Sequence, residues 1–283
     1  MSNDETPRVF DASIDIDAPI DEVWKAISEG DQIARWFALD AKVDPGVGGK
    51  VWVSWGEGFA GEQPIEIWEP GKQLRSFYEV PKGPEGTPVK MVTDYHLETV
   101  DGKTRVRIVQ SGFGNSDAWD NEFDSINSGW KIFMRNLRTY MEDHYQEPAI
   151  NTWVLVPSRF DVAGTWAEMV GGQDSQSPLK LSGVAGEGSS FTLQSASGMT
   201  LSGTLDLFFP DRVVGGRIKE LNGGLFRFTF GEGFNACELT MLAWNYDREA
   251  FDRIQADLLA TIRQRIGKDD AAAPDSSAFV TIN

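Results

Sequence analysis

The chain has 283 residues, 41% of them hydrophobic and 11% aromatic, a globular composition with length for one large domain or two of ordinary size. Its formal net charge of -17 argues against a nucleic-acid partner, since phosphate contacts need clustered Lys and Arg, and it repels anionic membrane surfaces. Cys237 is the single cysteine, so an intrachain disulfide is excluded; with no basic-apolar leader and no apolar run near ~18 residues, a soluble cytoplasmic protein is expected.

Residues 8–16, RVFDASIDI, alternate, with Val9, Ala12, Ile14 and Ile16 assigned to one side, and predict a strand. In the following stretch, DAPIDEVWKAISEGDQIARWFA, Ile20, Val23, Trp24 and Ile27 form one stripe of a helix. Asp17 is placed to cap it, Pro19 suits its first turn, Asp21 and Glu22 favour its positive end, and Gly30 ends it. A second short helix is expected over 32–37, carrying Ile33, Trp36 and Phe37.

VDPGVGGK (43–50) reads as turn chemistry leading into strands at 51–55, 64–69 and 74–80, and the Gly- and Pro-rich 82–88 as an exposed loop. MVTDYHLETV and KTRVRIVQ flank Asp101-Gly102, the preferred type I′ pair. That turn sets a register in which Glu98 faces Arg105, His96 faces Arg107, Leu97 faces Val106 and Tyr95 faces Ile108, with one face apolar and the other charged.

A long helix follows over 120–144, its apolar face made by Phe123, Ile126, Trp130, Phe133, Met134, Leu137 and Met141. QEPAIN (146–151) reads as a linker. The order then repeats: a strand at 153–156, a helical segment at 160–169, six further strands beginning LKLSGV, SFTLQS, TLSGTLDLFF, RVVGGRI, LFRFTFGE and CELTMLAW, and a final helix at 248–266. The tail, 268–283, is small and polar and is expected to be disordered. Two domains are expected, at 8–145 and 152–267.

Strand, two short helices, antiparallel sheet, long helix is the order of the helix-grip fold. On Ala18, Pro19, Val23, Trp24, Trp36, Phe37, Gly49, Gly129, Trp130, Phe133, Leu137 and Tyr140, residues 8–145 resemble the START-like (SRPBCC) superfamily. Within it they resemble the family of homologues of the heat-shock protein 90 ATPase activator. The resemblance implies an α+β, birch-pollen-allergen-like fold, with a curved antiparallel sheet around a long C-terminal helix and an apolar cavity between them. The second half lacks the Ala-Pro start and the Trp-Phe pair, and is read as a diverged second copy in which Trp166 takes the place of Trp24.

Catalytic chemistry is not evident. His96 falls on the charged face of its hairpin, and His144 lies at the end of the long helix, where a cation suits the dipole. Neither has a partner at metal-ligand spacing, so no metal and no cofactor is expected. Cys237 alternates with Leu239 and Met241 as a buried thiol would. The acidic run 117–124 precedes a helix, where capping and dipole stabilisation account for it.

The candidate binding residues are therefore Trp36, Phe37, Trp55, Tyr95, Trp130, Met134 and Leu137, with the Tyr95 hydroxyl and indole N–H groups orienting a ligand. Three function classes stand: a module binding a small apolar or aromatic molecule, a co-chaperone with the heat-shock protein 90 ATPase as partner, and a polyketide cyclase/dehydratase-type enzyme. The first needs a void of at least ~300 Å³.

Overall fold

The computed structural model describes residues 8–56, 58–172, 176–182, 185–231 and 235–268. The expected disordered tail lies outside these, apart from Lys268. The chain divides between Gln146 and Glu147 into two compact units.

The first unit contains β1 (Phe10–Ile16), α1 (Ile20–Ser28), α2 (Gly30–Ile33), β2 (Asp40–Asp44), β3 (Lys50–Ser54), β4 (Ala60–Glu69), β5 (Gln73–Val80), β6 (Val89–Val100), β7 (Lys103–Ser111) and α3 (Asp120–Asp143). Its seven strands form one antiparallel sheet in the order β1-β7-β6-β5-β4-β3-β2. The helical pair α1–α2 carries the chain from one edge to the other, and the strands then return in sequence to β1. In the β6–β7 hairpin Asp101 and Gly102 both have positive φ, 51° and 79°, as a type I′ turn requires. The expected register holds along its whole length, Glu98 opposite Arg105 and Tyr95 opposite Ile108 included.

The second unit contains β8 (Ala149–Pro157), α4 (Val162–Met169), β9 (Val170–Gly172), β10 (Leu179–Leu181), β11 (Ser190–Gln194), β12 (Thr200–Phe209), β13 (Val213–Ile218), β14 (Gly224–Gly231), β15 (Ala236–Trp244) and α5 (Arg248–Ile266). Its sheet runs β8-β15-β14-β13-β12-β11-β10-β9, the same order with a short parallel strand added at the edge. The likeness extends to single hydrogen bonds. The Gly48 N–H donates to Ile65 O and the Gly188 N–H to Leu205 O, while Ile65 and Leu205 donate back to Gly49 O and Ser189 O. Register shifts follow at Ile65/Ile67 in β4 and at Leu205/Leu207 in β12. Trp24 packs edge-on against Trp68 at 5.2 Å, and Trp166 against Phe208 at 5.8 Å. Both halves are helix-grip copies, and Trp166 does take the place of Trp24.

Several local expectations need correcting. Phe10, not Val9, joins Ala12, Ile14 and Ile16 on the inner face, because strict alternation places every second residue there; Val9 is exposed. Asp17 does not cap α1: Pro19 is the N-cap residue, with no side-chain hydrogen bond. Gly30 opens α2 rather than closing α1, and a Cβ there would meet Ala41 O at 2.5 Å, so its missing side chain lets α2 lie against β2. That strand was hidden in an acidic run, DAKVD, where a single valine gives little apolar periodicity. β8 begins at Ala149, inside the expected linker, because Ala149–Asn151 pair with Leu242–Trp244 of β15.

Candidate functional site: a cavity with a polar floor in the first copy

In the first copy a cavity of about 290 Å³ lies between the inner face of the sheet and α3, closed at one end by α1 and α2. That is just under the ~300 Å³ at the lower end of the usual range for ligand sites. Five of the candidate residues, Trp36, Phe37, Trp55, Tyr95 and Trp130, line it. Phe37 is the hub of this wall, with ring centroids 4.4 Å from Phe133, 5.1 Å from Trp55, 5.3 Å from Trp36 and 5.8 Å from Trp130. Tyr95 meets Trp130 edge-on at 5.7 Å.

Met134 and Leu137 do not line the cavity, although both are buried. The helical repeat explains this. Ile126, Gly129, Trp130 and Phe133 form the stripe of α3 that faces the space. Met134 is turned about 100° from Phe133, and Leu137 lies about 10 Å further along the axis than Trp130.

The indole N–H groups, expected to orient a ligand, are committed within the protein. Trp36 Nε1 donates to Ala26 O at 2.9 Å, Trp55 Nε1 to Phe37 O at 3.2 Å, and Trp130 Nε1 to Gln110 Oε1. Gln110 in turn donates from Nε2 to the Tyr78 hydroxyl at 3.2 Å, and Ser76 donates to Gln63 Oε1 at 2.9 Å.

These pairs reveal a feature that the list of aromatics missed. Ser76 lies opposite Thr93 and Thr93 opposite Gln110, so with Gln63 they form a row of polar side chains across four adjacent strands. All four line the cavity, and Ser76, Thr93 and Gln110 are buried. Tyr78 and Tyr95 flank the row. The hydroxyls of Thr93 and Tyr95 make no hydrogen bond among the described residues. Burial drives the Tyr95 phenol well above its ordinary range; for Tyr78 burial does the same, helped by the Glu122 charge and opposed by the Gln110 hydrogen bond. Both phenols are therefore neutral donors. Among the described residues the lining contains no acid, amine, guanidinium, imidazole or thiol.

The second copy provides an internal control. Matched through the shared register shift, Gln63, Ser76, Thr93 and Gln110 correspond to Gly203, Gly216, Phe226 and Met241. Tyr95 corresponds to Phe228 and Tyr78 to Ile218. Every polar group on the floor has an apolar or glycine counterpart. Phe191 fills the space: its ring centroid is 4.9 Å from that of Phe226, and its edge would lie 2.7 Å from a Cβ on Gly216. The fold thus does not require the polar row. A signal for it was present in the sequence, since the Asp101-Gly102 register carries on to Thr93 opposite Gln110.

Elsewhere the titratable candidates occupy structural places. His96 Nε2 is 3.3 Å from Asp94 Oδ2, a carboxylate also held by Arg75 and Gln73. His144 is the buried C-cap residue of α3. Burial pushes the Cys237 thiol far up, which makes it unreactive. In the acidic run that leads into α3 no side chain caps the helix; within its first turn Asp120 pairs with Arg8, and burial raises the Glu122 carboxyl. Among the described residues no group of three His, Cys, Asp or Glu is placed to hold a metal, and no helix is long and apolar enough to cross a membrane.

Residues 17–142 match the family described as "Activator of Hsp90 ATPase homolog 1-like protein". No curated protein matches the sequence. Among solved structures, the Aha1 dimer from Colwellia psychrerythraea is 18% identical, with a TM-score of 0.43 over 49% of this chain and 98% of its own. The di-domain ARO/CYC BexL from the BE-7585A biosynthetic pathway is 15% identical, with a TM-score of 0.41 over 94% of this chain and all of its own (100%). DynU16, a putative protein of the dynemicin biosynthetic locus, is 14% identical, with a TM-score of 0.39 over 91% of this chain and 95% of its own. The first copy thus matches the activator of Hsp90 ATPase homolog 1-like family over residues 17–142, and the second repeats the same helix-grip fold in diverged form.

Proposed function

We propose that the first copy binds a small, uncharged, largely aromatic molecule, held between the aromatic wall of α2–α3 and the polar floor of the sheet. The observation that carries this reading is the difference between the copies. A fold that packs solid with Phe191, Phe226 and Met241 in one copy keeps a void and a row of buried polar groups in the other. Burying a polar group without a partner costs roughly 1–3 kcal/mol. The Thr93 and Tyr95 hydroxyls are therefore expected to act on something other than the protein. Aromatic side chains supply contact area, and a few neutral donors fix orientation. The uncharged lining formed by the described residues disfavours a carboxylate or an ammonium ligand, whose desolvation it would not offset. Acid-base chemistry of the cyclase type is not favoured, since the polar groups of the described lining residues are phenols, hydroxyls, amides and indoles.

The test is titration of the full chain with a neutral fluorescent probe such as N-phenyl-1-naphthylamine. Binding should be saturable at one site and weakened at least tenfold by Trp130→Ala. Probe binding that is absent, or that persists unchanged in Trp130→Ala and in Thr93→Phe, would refute the reading.

A further inference from the structure

The second copy, whose interior is filled, carries a pocket of a different kind. It has a volume of about 360 Å³ and lies where the end of α4, the last turns of α5 and the β10–β11 hairpin come together. We propose that it binds a small hydroxylated phosphomonoester.

Charge comes first. The chain as a whole has a net charge of -17, yet among the described residues lining this pocket three are cations, Arg159, Lys180 and Arg265, and one, Glu168, is an acid. Glu168 is engaged by Arg265, Nε to Oε2 at 2.8 Å. That leaves Arg159 and Lys180, two positive charges against the roughly two negative charges of a phosphomonoester near neutral pH. Lys180 makes no side-chain hydrogen bond or ion pair among the described residues. In the first copy, by contrast, Lys50, Lys72, Lys90 and Lys103 each face a carboxylate within 4 Å.

Positioning comes second. The Arg159 guanidinium is held over the Phe160 ring at 5.0 Å, and its Nη2 donates to Arg265 O at 3.0 Å, leaving the rest of its donor fork for a ligand. Lys180, on β10, adds an ammonium to the lining. The walls are tied together: the Ala196 N–H donates to Thr261 Oγ1 at 2.9 Å and the Gln194 N–H to Pro178 O at 2.9 Å.

The neutral groups set the rest of the ligand. The side-chain amides of Gln176, Gln194 and Gln264 line the pocket and make no hydrogen bond among the described residues. Each offers donors and an acceptor, which suits ligand hydroxyls rather than hydrocarbon.

Calorimetric titration of the full chain with glycerol 3-phosphate, inorganic phosphate and glycerol tests the proposal. Glycerol 3-phosphate should bind saturably and more tightly than inorganic phosphate, and glycerol should not bind. Lys180→Met should weaken binding at least tenfold, Lys180→Arg should largely preserve it, and Lys72→Met, in the other copy, should leave it unchanged. Lys180 has no partner to lose, so its variants should fold like the parent. No saturable binding of either phosphate, or binding unaffected by Lys180→Met and Arg159→Met together, would overturn the proposal. So would equal affinity for the two phosphates, or binding confined to phosphatidate vesicles.

Discussion

Removal of a single phenolic oxygen should have opposite consequences at two tyrosines of the first copy. Tyr140, fully buried on α3, donates to Gln32 Oε1 at 2.5 Å and accepts from the Gln146 N–H at 3.2 Å. Gln32 is itself buried, at 8% exposure, so Tyr140→Phe leaves an amide oxygen and a backbone N–H short of a partner. A stranded buried group costs roughly 1–3 kcal/mol, and two of them, one only half-buried, put the expected loss at about 2–3 kcal/mol. Tyr95 has the same side chain, but its hydroxyl makes no hydrogen bond among the described residues and faces the cavity. Tyr95→Phe should therefore range from neutral to about 1 kcal/mol more stable, while the ring contact with Trp130 is kept. Urea unfolding of both variants, followed through the first-copy transition, measures the difference. If Tyr95→Phe loses more than about 1 kcal/mol, its hydroxyl has a protein partner and the polar floor is a structural network. A neutral Tyr140→Phe would overturn the hydrogen-bond reasoning itself.

Further outcomes follow from the same geometry. Gly216→Ala should lose at least about 2 kcal/mol in thermal or urea unfolding, because the new Cβ would lie 2.7 Å from Phe191 and from Thr204 O, while Ser76→Ala at the matching position should cost only about 1 kcal/mol for its hydrogen bond to Gln63. His96→Ala should change stability by less than ~0.5 kcal/mol, since Asp94 keeps Arg75 and Gln73; a larger loss in a melting experiment would count against the outward placement of His96. Burial pushes the Glu238 carboxyl from 4.5 up to about 7, against the opposing pull of a hydrogen bond from Trp153. The fold thus favours its neutral form: that contribution is complete below 4.5 and is lost as pH rises through about 7. Stability compared at pH 4.5 and pH 8 should fall by roughly 3 kcal/mol more in the parent than in Glu238→Gln, and equal pH dependence would refute the assignment.

The sequence alone was enough for the architecture, because its signals are local. A 3.6-residue stripe in α1, α3 and α5 and a two-residue turn at Asp101-Gly102 are set by neighbours within a few positions, and neither needs a distant partner to be read. The same turn fixed which side chains of β6 and β7 face inward, and so brought Tyr95 and, unnoticed, Thr93 and Gln110 to one face. What depended on distant pairing was not legible. β2 and the start of β8 have weak patterns of their own and exist because β3 and β15 offer them hydrogen-bonding edges. Likewise, periodicity shows that Trp130, Met134 and Leu137 are buried, but only packing decides that Trp130 ends at a void while the other two end in solid core. Whether an inward face closes on itself or leaves space depends on side chains from four strands and a helix meeting at once. Ser76 and Thr93 leave the first copy open at the register positions where Gly216 and Phe226, with Phe191 between them, fill the second, and that difference appears only when the two sheets are laid strand on strand.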